Sequence, residues 1–246
     1  MRRIMIVGVL MATLMSALYG CDAVDKKATE PILTALAAKY GQSFTVYALG
    51  DRIGRDTATA YVFSDDDPTL LFTARVSREG TLTFENYAYR KLCRKIENIT
   101  SDIFAQYGFK ASCYATLFGT SADDVTQVEI DLQDYLNETK PEAVSLSIAI
   151  EEHELVIATL EQVYGEIYAE LQHTTVGSTL HVLSEADYEA VNQQIQLETQ
   201  LFDASRLKMF GASGDIREIQ LKYDADGLTS TTDDRFETIE NKAHGL

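Results

Sequence analysis

The chain has 246 residues, of which 46% are hydrophobic and 9% aromatic, a composition typical of a globular protein and not of a disordered one. Its formal net charge is −17, and the excess acid is confined to one part: residues 21–120 contain 12 basic and 12 acidic residues, whereas residues 121–246 contain 7 and 26. Nucleic-acid binding is therefore disfavoured, because neutralising phosphates requires a clustered basic surface.

The first 20 residues have the layout of a secretory signal peptide. Arg2 and Arg3 precede an apolar run of 15 residues, 4–18, which is followed by small or turn-forming residues. A permanent membrane-spanning helix needs about 20 apolar residues, so a cleaved signal is favoured over a retained anchor.

The segment Leu18-Tyr19-Gly20-Cys21 resembles the lipobox of bacterial lipoproteins. By that resemblance, Cys21 carries a diacylglycerol with palmitate-type chains, becomes the mature N-terminus and anchors the protein at the extracytoplasmic face of the cell membrane. Two acyl chains give lasting attachment, because each buried methylene contributes about 0.8 kcal/mol. Ordinary secretion, with cleavage after Ala23, is the alternative.

The segment after the anchor predicts a short tether, residues 21–28, and then a charge-balanced α+β portion, residues 29–120. This portion begins with a helix that Thr29 caps and Gly41 ends. Runs rich in β-branched and aromatic residues then predict antiparallel strands, because their connections are too short for crossovers. These strands cover residues 44–49, 57–63, 71–77 and 81–84.

A long helix over residues 85–107 and a strand over residues 112–118 complete this portion. Cys93 is expected on the buried face of the helix and Cys113 at the head of the strand. In an exported protein the two can form one disulfide, which would contribute about 3 kcal/mol, or remain as two buried thiols. No C-x-x-C pattern indicates metal or redox chemistry.

Residues 121–246 form a strongly acidic α+β portion. Helices are predicted over residues 123–137, 153–172 and 185–201, with strands over residues 143–150, 178–183 and 216–223. The predicted fold class is α+β, an antiparallel sheet packed with helices. The recurring order of helix, strands, long helix and strand raises the possibility of two related α+β halves, divided near residues 119–122.

Residues 30–118 are similar to uncharacterised extracytoplasmic lipoprotein domains of Gram-positive bacteria. The segments ILTALAAKYGQSFTVYALG, which enters the sheet, and GTLTFENYAYRKL, which enters the long helix, show this similarity. The resemblance implies an envelope location and carries over no functional residue.

Two polar segments each contain only part of the residue pattern that a metal site or a catalytic site needs. Glu151-Glu152-His153-Glu154 lies where a strand passes into a helix, and it predicts either acids that complement the helix dipole or two ligands of a divalent cation. Gly211-Ala212-Ser213-Gly214-Asp215 begins like the nucleophile elbow of α/β-hydrolases, but Asp215 replaces the last glycine, so a loop is predicted.

Three further patterns have structural explanations. Glu170 and His173 have the spacing of a di-iron ligand pair but lack the second pair, so a solvated helix end is predicted. Residues 224–227 predict a hairpin turn. The basic cluster Arg90, Lys91, Arg94 and Lys95 predicts a solvated helix face, with a membrane-facing patch as the alternative. No catalytic residue, metal ligand or cofactor is predicted.

The sequence therefore predicts a lipid-anchored interaction or binding module of the cell envelope. Its partners are the membrane, through the lipid on Cys21, and an envelope protein. The second hypothesis is a lipoprotein that binds a small ligand or divalent cation for a transporter. The third hypothesis is an envelope enzyme whose catalytic residues are not grouped in sequence.

Overall fold

A computed structural model describes residues 24–50, 57–122, 125, 128–152 and 156–230. These residues form six helices and nine strands in two sheets, which confirms the predicted α+β class.

The helices are α1 Val24–Tyr40, α2 Tyr87–Gln106, α3 Leu132–Thr139, α4 Ile157–Glu170, α5 Glu185–Ile195 and α6 Ala204–Phe210. The strands are β1 Phe44–Leu49, β2 Thr57–Ser64, β3 Asp67–Ser77, β4 Leu82–Glu85, β5 Ala111–Phe118, β6 Ala143–Glu151, β7 Val176–Leu183, β8 Arg217–Asp224 and β9 Gly227–Ser230.

The chain divides into two compact units. Among the described residues, the first contains those up to residue 68 and residues 72–85, and the second contains residues 69–71 and those from residue 86 onward. The division near residue 85 differs from the boundary at residues 119–122 that the change of charge predicted. The reason is that α2 and β5, which are not acidic, contribute to the same hydrophobic core as the acidic remainder of the chain.

The first unit is an antiparallel meander covered by α1. Strands β1 to β4 are neighbours in sequence order, as predicted from their short connections. Ile32 and Leu36 of α1 are fully buried, and Phe44 packs edge-to-face on Phe72 with ring centroids 5.7 Å apart. Helix α1 includes Val24 and the residues that follow it, so residues 24–28 of the predicted tether of residues 21–28 are helical.

The second unit is a mixed five-stranded sheet with helices on both faces. The strand order is β5-β6-β7-β8-β9; β6 and β7 are parallel and the other pairs are antiparallel. A parallel pair needs a crossover connection, which α4 supplies. Because the first sheet is wholly antiparallel, the two units differ in topology, and this gives no support to the idea of related halves.

Alternating side chains of this sheet enter two cores. Leu146, Ile148 and Ile150 of β6 point into the larger core, which α2, α3 and α4 cover. Ala149, on the opposite side of the same strand, joins the smaller core with residues of α5 and α6 such as Val191.

Two helix starts in the second unit differ from the prediction because a capping aspartate sets each of them. Asp131 accepts hydrogen bonds from two backbone N–H groups and begins α3 at Leu132, well after the predicted start at residue 123. Asp203 likewise begins α6, a helix that the periodicity did not predict. Gly227, with a φ of +99°, forms the predicted hairpin turn between β8 and β9.

The outer edge of β5 is covered by side chains of α2 instead of another strand. Tyr89 both donates to the Leu117 carbonyl and accepts from the Leu117 N–H. Arg90 donates to the Ala115 carbonyl, and Glu97 accepts from the Ala115 N–H at 3.0 Å. Backbone groups that would otherwise lie unpaired at a sheet edge are thus satisfied within the fold.

Candidate functional site

A cleft lies where the parallel strands β6 and β7 end. Its volume is about 490 Å³, and its polar lining residues are Glu152, Ser184, Asp187, Gly214, Asp215 and Arg217. Three segments of the second unit form it: the residue after β6, the start of α5 after β7, and the loop 211–216 that precedes β8. We call it the β6–β7 cleft. In open sheets, ligands bind outside the carboxyl ends of parallel strands, because the following loops leave in different directions there.

Asp187 fixes the loop that forms one wall of the cleft. Its carboxylate accepts hydrogen bonds from the Ser213 N–H at 2.7 Å, from the Ser213 hydroxyl and from the Gly214 N–H. The Ser184 hydroxyl donates to it at 2.8 Å. These donors, the Ser213 N–H first, lower the pKa of the Asp187 carboxyl, which remains ionised. These hydrogen bonds tie the loop to the start of α5.

Gly214 permits this arrangement because it has no side chain. A Cβ atom at position 214 would lie 2.6 Å from Oδ2 of Asp187, well inside van der Waals contact. The close approach of the loop backbone to the carboxylate thus requires glycine at this position.

The charged groups around the cleft are mainly acidic. Glu152 and Asp215 are exposed in its lining, and Arg217 is the basic residue there. Outside the cleft lining, at the end of β6, Lys110 pairs with Glu151 at 2.6 Å and approaches Glu189 at 3.6 Å. The hydrogen bond to Glu151 raises the pKa of Lys110. A ligand with a positive charge fits this surface better than an anion.

The structure brings together two segments that the sequence treated separately. Glu151 and Glu152 end β6, and the loop that contains Ser213 and Gly214 lies beside the same strand ends. The loop prediction for residues 211–215 is confirmed, and Ser213, which is exposed, donates to Asp187 from this loop and does not lie on a strand-to-helix elbow. His153 and Glu154 lie outside the described residues.

Asp187 and Ser184 are the site residues that the sequence interpretation missed. Ser184-Glu185-Ala186-Asp187 has the spacing of a capping box, in which the acid normally bonds back to the first turn. That signal predicts the start of α5 but not the distant loop, 26 residues away in sequence, that Asp187 binds.

Cys93 and Cys113 are two separate buried thiols, not a disulfide. The Cys113 thiol donates to the Glu97 carbonyl at 3.2 Å, whereas Cys93 lies one helical turn away from Glu97 on α2, about 6 Å along the axis. Burial raises the pKa of Cys93 to about 12 and also raises that of Cys113, so both thiols remain protonated.

The basic cluster on α2 is only partly the predicted solvated face, because Lys91, Arg94 and Lys95 are partly exposed but Arg90 is buried. Arg90 is only 1% exposed and pairs with Glu97 at 2.9 Å. Arg94 bonds Glu97 and the Gln196 carbonyl, Lys91 pairs with Glu129, and Lys95 donates to the Ile130 carbonyl. Each of the four cations is bound within the second unit.

A buried polar group lies under residues 196–206. His181 of β7 is fully buried beside the ring of Phe202, with Nδ1 at 3.2 Å from Glu218. Ser147 accepts from the Phe202 N–H, and Glu198, which is 4% exposed, pairs with Arg206 at 2.6 Å. Alternation along the strands did not predict these polar residues on an inward-facing surface.

Glu170 and His173 do not lie on one helix. Helix α4 ends at Glu170, and His173 follows the helix with a φ of 59°, so Glu170 and His173 do not share a helix face.

Among the described residues, no group of three or more His, Cys, Asp or Glu is placed to hold a metal ion. No helix in the described ranges is long and apolar enough to cross a membrane. Cys21 lies outside those ranges.

Comparisons with known proteins identify the fold. No family model matches the sequence, and a search of curated proteins finds none that matches it. Among solved structures, a DUF5037 family protein from Ruminococcus gnavus ATCC 29149 superimposes with a TM-score of 0.58 at 15% sequence identity. The alignment covers 89% of this chain and 99% of that chain, so the similarity of fold extends over both units.

Proposed function

We propose that the protein is a lipid-anchored extracytoplasmic binding module that holds a small, positively charged polar ligand in the β6–β7 cleft. The observation that carries this proposal is the wall of the cleft, which Asp187 fixes through hydrogen bonds to Ser184, Ser213 and Gly214. A preformed site loses little conformational entropy when a ligand binds. Its volume of about 490 Å³ falls in the range of small-molecule sites.

The charges of the cleft support the choice of ligand class. Asp187 is committed to the loop, which leaves the exposed carboxylates of Glu152 and Asp215 to meet a cationic group. Arg217 is placed to meet an anionic or hydrogen-bond-accepting group of the same ligand. A primary amine that also carries a carboxylate, such as a basic amino acid, satisfies both.

The anchor is supported by the sequence around Cys21, which resembles a lipobox and follows a basic and apolar leader. Val24, which already lies in α1, is the third residue after Cys21. Three residues reach at most about 11 Å, so an anchor at Cys21 would hold α1 close to the lipid headgroups.

Ligand binding is tested by thermal unfolding of the full chain with L-lysine, L-arginine and spermidine, and with L-glutamate and citrate as anionic probes. Saturating amines are expected to raise the Tm, because a ligand that binds only the folded state stabilises it. The double variant Glu152→Gln/Asp215→Asn should lose this shift. Glu138→Gln, an exposed change outside the cleft, should keep it. A shift that survives in the double variant, or no shift with any amine, would contradict the binding proposal.

The anchor is tested by expression in a bacterial host with labelled palmitate. The full chain is expected in the membrane fraction with the label attached, and Cys21→Ser should lose the label and leave that fraction. A Cys21→Ser protein that remains membrane-bound with an unchanged mass rules out the lipid anchor. This result is independent of the Tm experiment, so the two parts of the proposal fail separately.

A further inference from the structure

A second concave surface lies along the outer side of α4, away from the β6–β7 cleft. Its volume is about 670 Å³. Its floor is formed by Ala158, Gln162, Gly165 and Ala169, which recur along α4 at spacings of four, three and four residues. This is the spacing of the seam along which one helix packs on another. We call this surface the α4 groove.

The walls of the groove are two tyrosines held in place by the fold. Tyr107 follows α2, and its hydroxyl donates to Glu166. Tyr223 of β8 packs on Tyr168 with ring centroids 5.3 Å apart. A Cβ atom at position 165 would lie 3.1 Å from the Tyr223 hydroxyl, so glycine lets this tyrosine approach the helix. The groove is therefore built by packing and is not merely an exposed helix surface.

Glutamates flank the floor on both sides. Glu161 precedes the floor residue Gln162, and Glu166 follows the floor residue Gly165, and both are exposed in the groove lining. In heptad terms they occupy the g and e positions, whose charges select the partner helix. Three of the four floor residues, Ala158, Gly165 and Ala169, are small, so a partner backbone can approach α4 closely along most of the groove.

We propose that the α4 groove is the docking site of a basic amphipathic helix of a partner protein. Lysine or arginine on the partner meets Glu161 and Glu166, and apolar side chains of the partner fill the space between Tyr107 and Tyr223. The proposal is separate from ligand binding in the β6–β7 cleft.

Charge selects this occupant over the others. A second copy of the chain would place Glu161 and Glu166 against the same residues of its own α4. Residues 86–246 contain 12 basic and 28 acidic residues, so two copies would repel one another in this unit. Anionic lipid headgroups would repel the groove for the same reason.

The probe is a synthetic helical peptide of about 18 residues with a leucine and alanine face flanked by lysines, long enough to span α4. The matched peptide has glutamate in place of each lysine. Each is titrated by calorimetry into the full chain in a non-ionic detergent. We expect the lysine peptide to bind saturably and the glutamate peptide not to bind. Glu161→Lys/Glu166→Lys should weaken it at least about tenfold and should favour the glutamate peptide.

Two further variants keep the test decisive. Glu138→Lys/Glu142→Lys changes the net charge equally at exposed positions outside the groove, and it should leave the affinity within about twofold. Gln162→Trp fills the floor without changing charge and should also weaken binding about tenfold. Equal affinity for both peptides, no saturable binding, or equal effects of the two double variants would overturn the proposal. A dimer in sedimentation equilibrium that Glu161→Lys/Glu166→Lys dissociates would also overturn it, by assigning the groove to a second copy.

Discussion

Asp187 has unusual hydrogen-bond partners for an acid near the start of a helix. Acids in the first turn commonly interact with the helix dipole and with the capping residue. Here the carboxylate also accepts hydrogen bonds from a loop 26 residues further along the chain. One side chain therefore joins α5 to the segment before β8 and shapes the β6–β7 cleft.

Gly214→Ala is expected to destabilise the protein by about 1–3 kcal/mol, because the new Cβ must displace either the loop or the Asp187 carboxylate. Urea unfolding followed by circular dichroism measures this change. Gly177→Ala is the matched control, since a Cβ there would have its nearest neighbour at 4.0 Å. Equal effects of the two substitutions would show that the contact with Asp187 does not matter.

His181 gives the protein a stability that depends on pH. Burial lowers the pKa of its imidazole below the ordinary value for histidine, although Glu218 opposes this shift. The unfolded chain therefore binds a proton at a higher pH than the folded protein does. The neutral imidazole contributes stability above the unfolded pKa, and that contribution is lost as the pH falls towards the folded pKa.

Replacing His181 with Gln removes this titration. The unfolding free energy of the native protein, minus that of His181→Gln, is expected to fall as the pH is lowered from about 7.5 to 5.5. Urea unfolding at several pH values gives this difference. His181→Leu, which differs from Gln in polarity but also cannot titrate, should show the same pH dependence. A difference that increases on acidification would instead mean that the Glu218 pair stabilises a charged imidazole.

The sequence predicts the positions of only some of the buried side chains. It placed Cys93 on the buried face of a long helix, which is correct, since apolar positions recur there with a helical period. It could not predict that Arg90 is buried on the same helix, because the partner that permits burial, Glu97, and the Ala115 carbonyl are brought together only by packing.

At the scale of elements, side chains of α2 are joined to the outer edge of β5 by hydrogen bonds. Glu97 accepts from Arg90 and from the Ala115 N–H, and Arg90 also lies over the Tyr114 ring at 4.1 Å. Arg90 and Glu97 are 1% and 3% exposed, so each depends on the other for its charge to be tolerated.

Glu97→Gln is expected to cost about 3–5 kcal/mol, because it leaves the Arg90 guanidinium buried without a counter-charge. Chemical denaturation measures the loss. Glu129→Gln, which breaks the exposed pair with Lys91 on the same helix, should have little effect. The pair is not needed for stability if both variants unfold at the same midpoint.

Element existence was more predictable than element ends. The strands of the first unit and the long helix α2 follow directly from their periodicity and from short connections. The start of α3 does not follow from periodicity, and α6 was not predicted, because both helices begin at capping side chains, those of Asp131 and Asp203.

At the scale of the molecule, the charge is unevenly divided between the units. Residues 86–246 carry 28 of the 38 acidic residues but only 12 of the 21 basic residues. Four of those basic residues, Arg90, Lys91, Arg94 and Lys95, are bound within the fold. The composition predicted the acidic character, but the boundary between units depends on which segments share a core, and charge does not report that.

Self-repulsion in the second unit should make stability depend on salt. Raising NaCl from 10 to 500 mM is expected to raise the midpoint of urea unfolding, because the screening length shortens from about 30 Å to a few ångströms. Glu138→Lys/Glu142→Lys, which lowers the negative charge, should reduce this dependence. A midpoint that salt does not change would mean that the acids are already compensated by pairing.

The contact between Gly214 and Asp187 also limits how related sequences can diverge. A residue larger than glycine at position 214 costs stability as long as position 187 keeps its carboxylate, because the new Cβ must displace the loop or the carboxylate. Loss of Asp187 while glycine remains removes the hydrogen bonds that fix the loop but creates no overlap. Substitution at position 214 is therefore expected to be less costly after Asp187 has changed than before, and homologues that retain the cleft should retain both residues together.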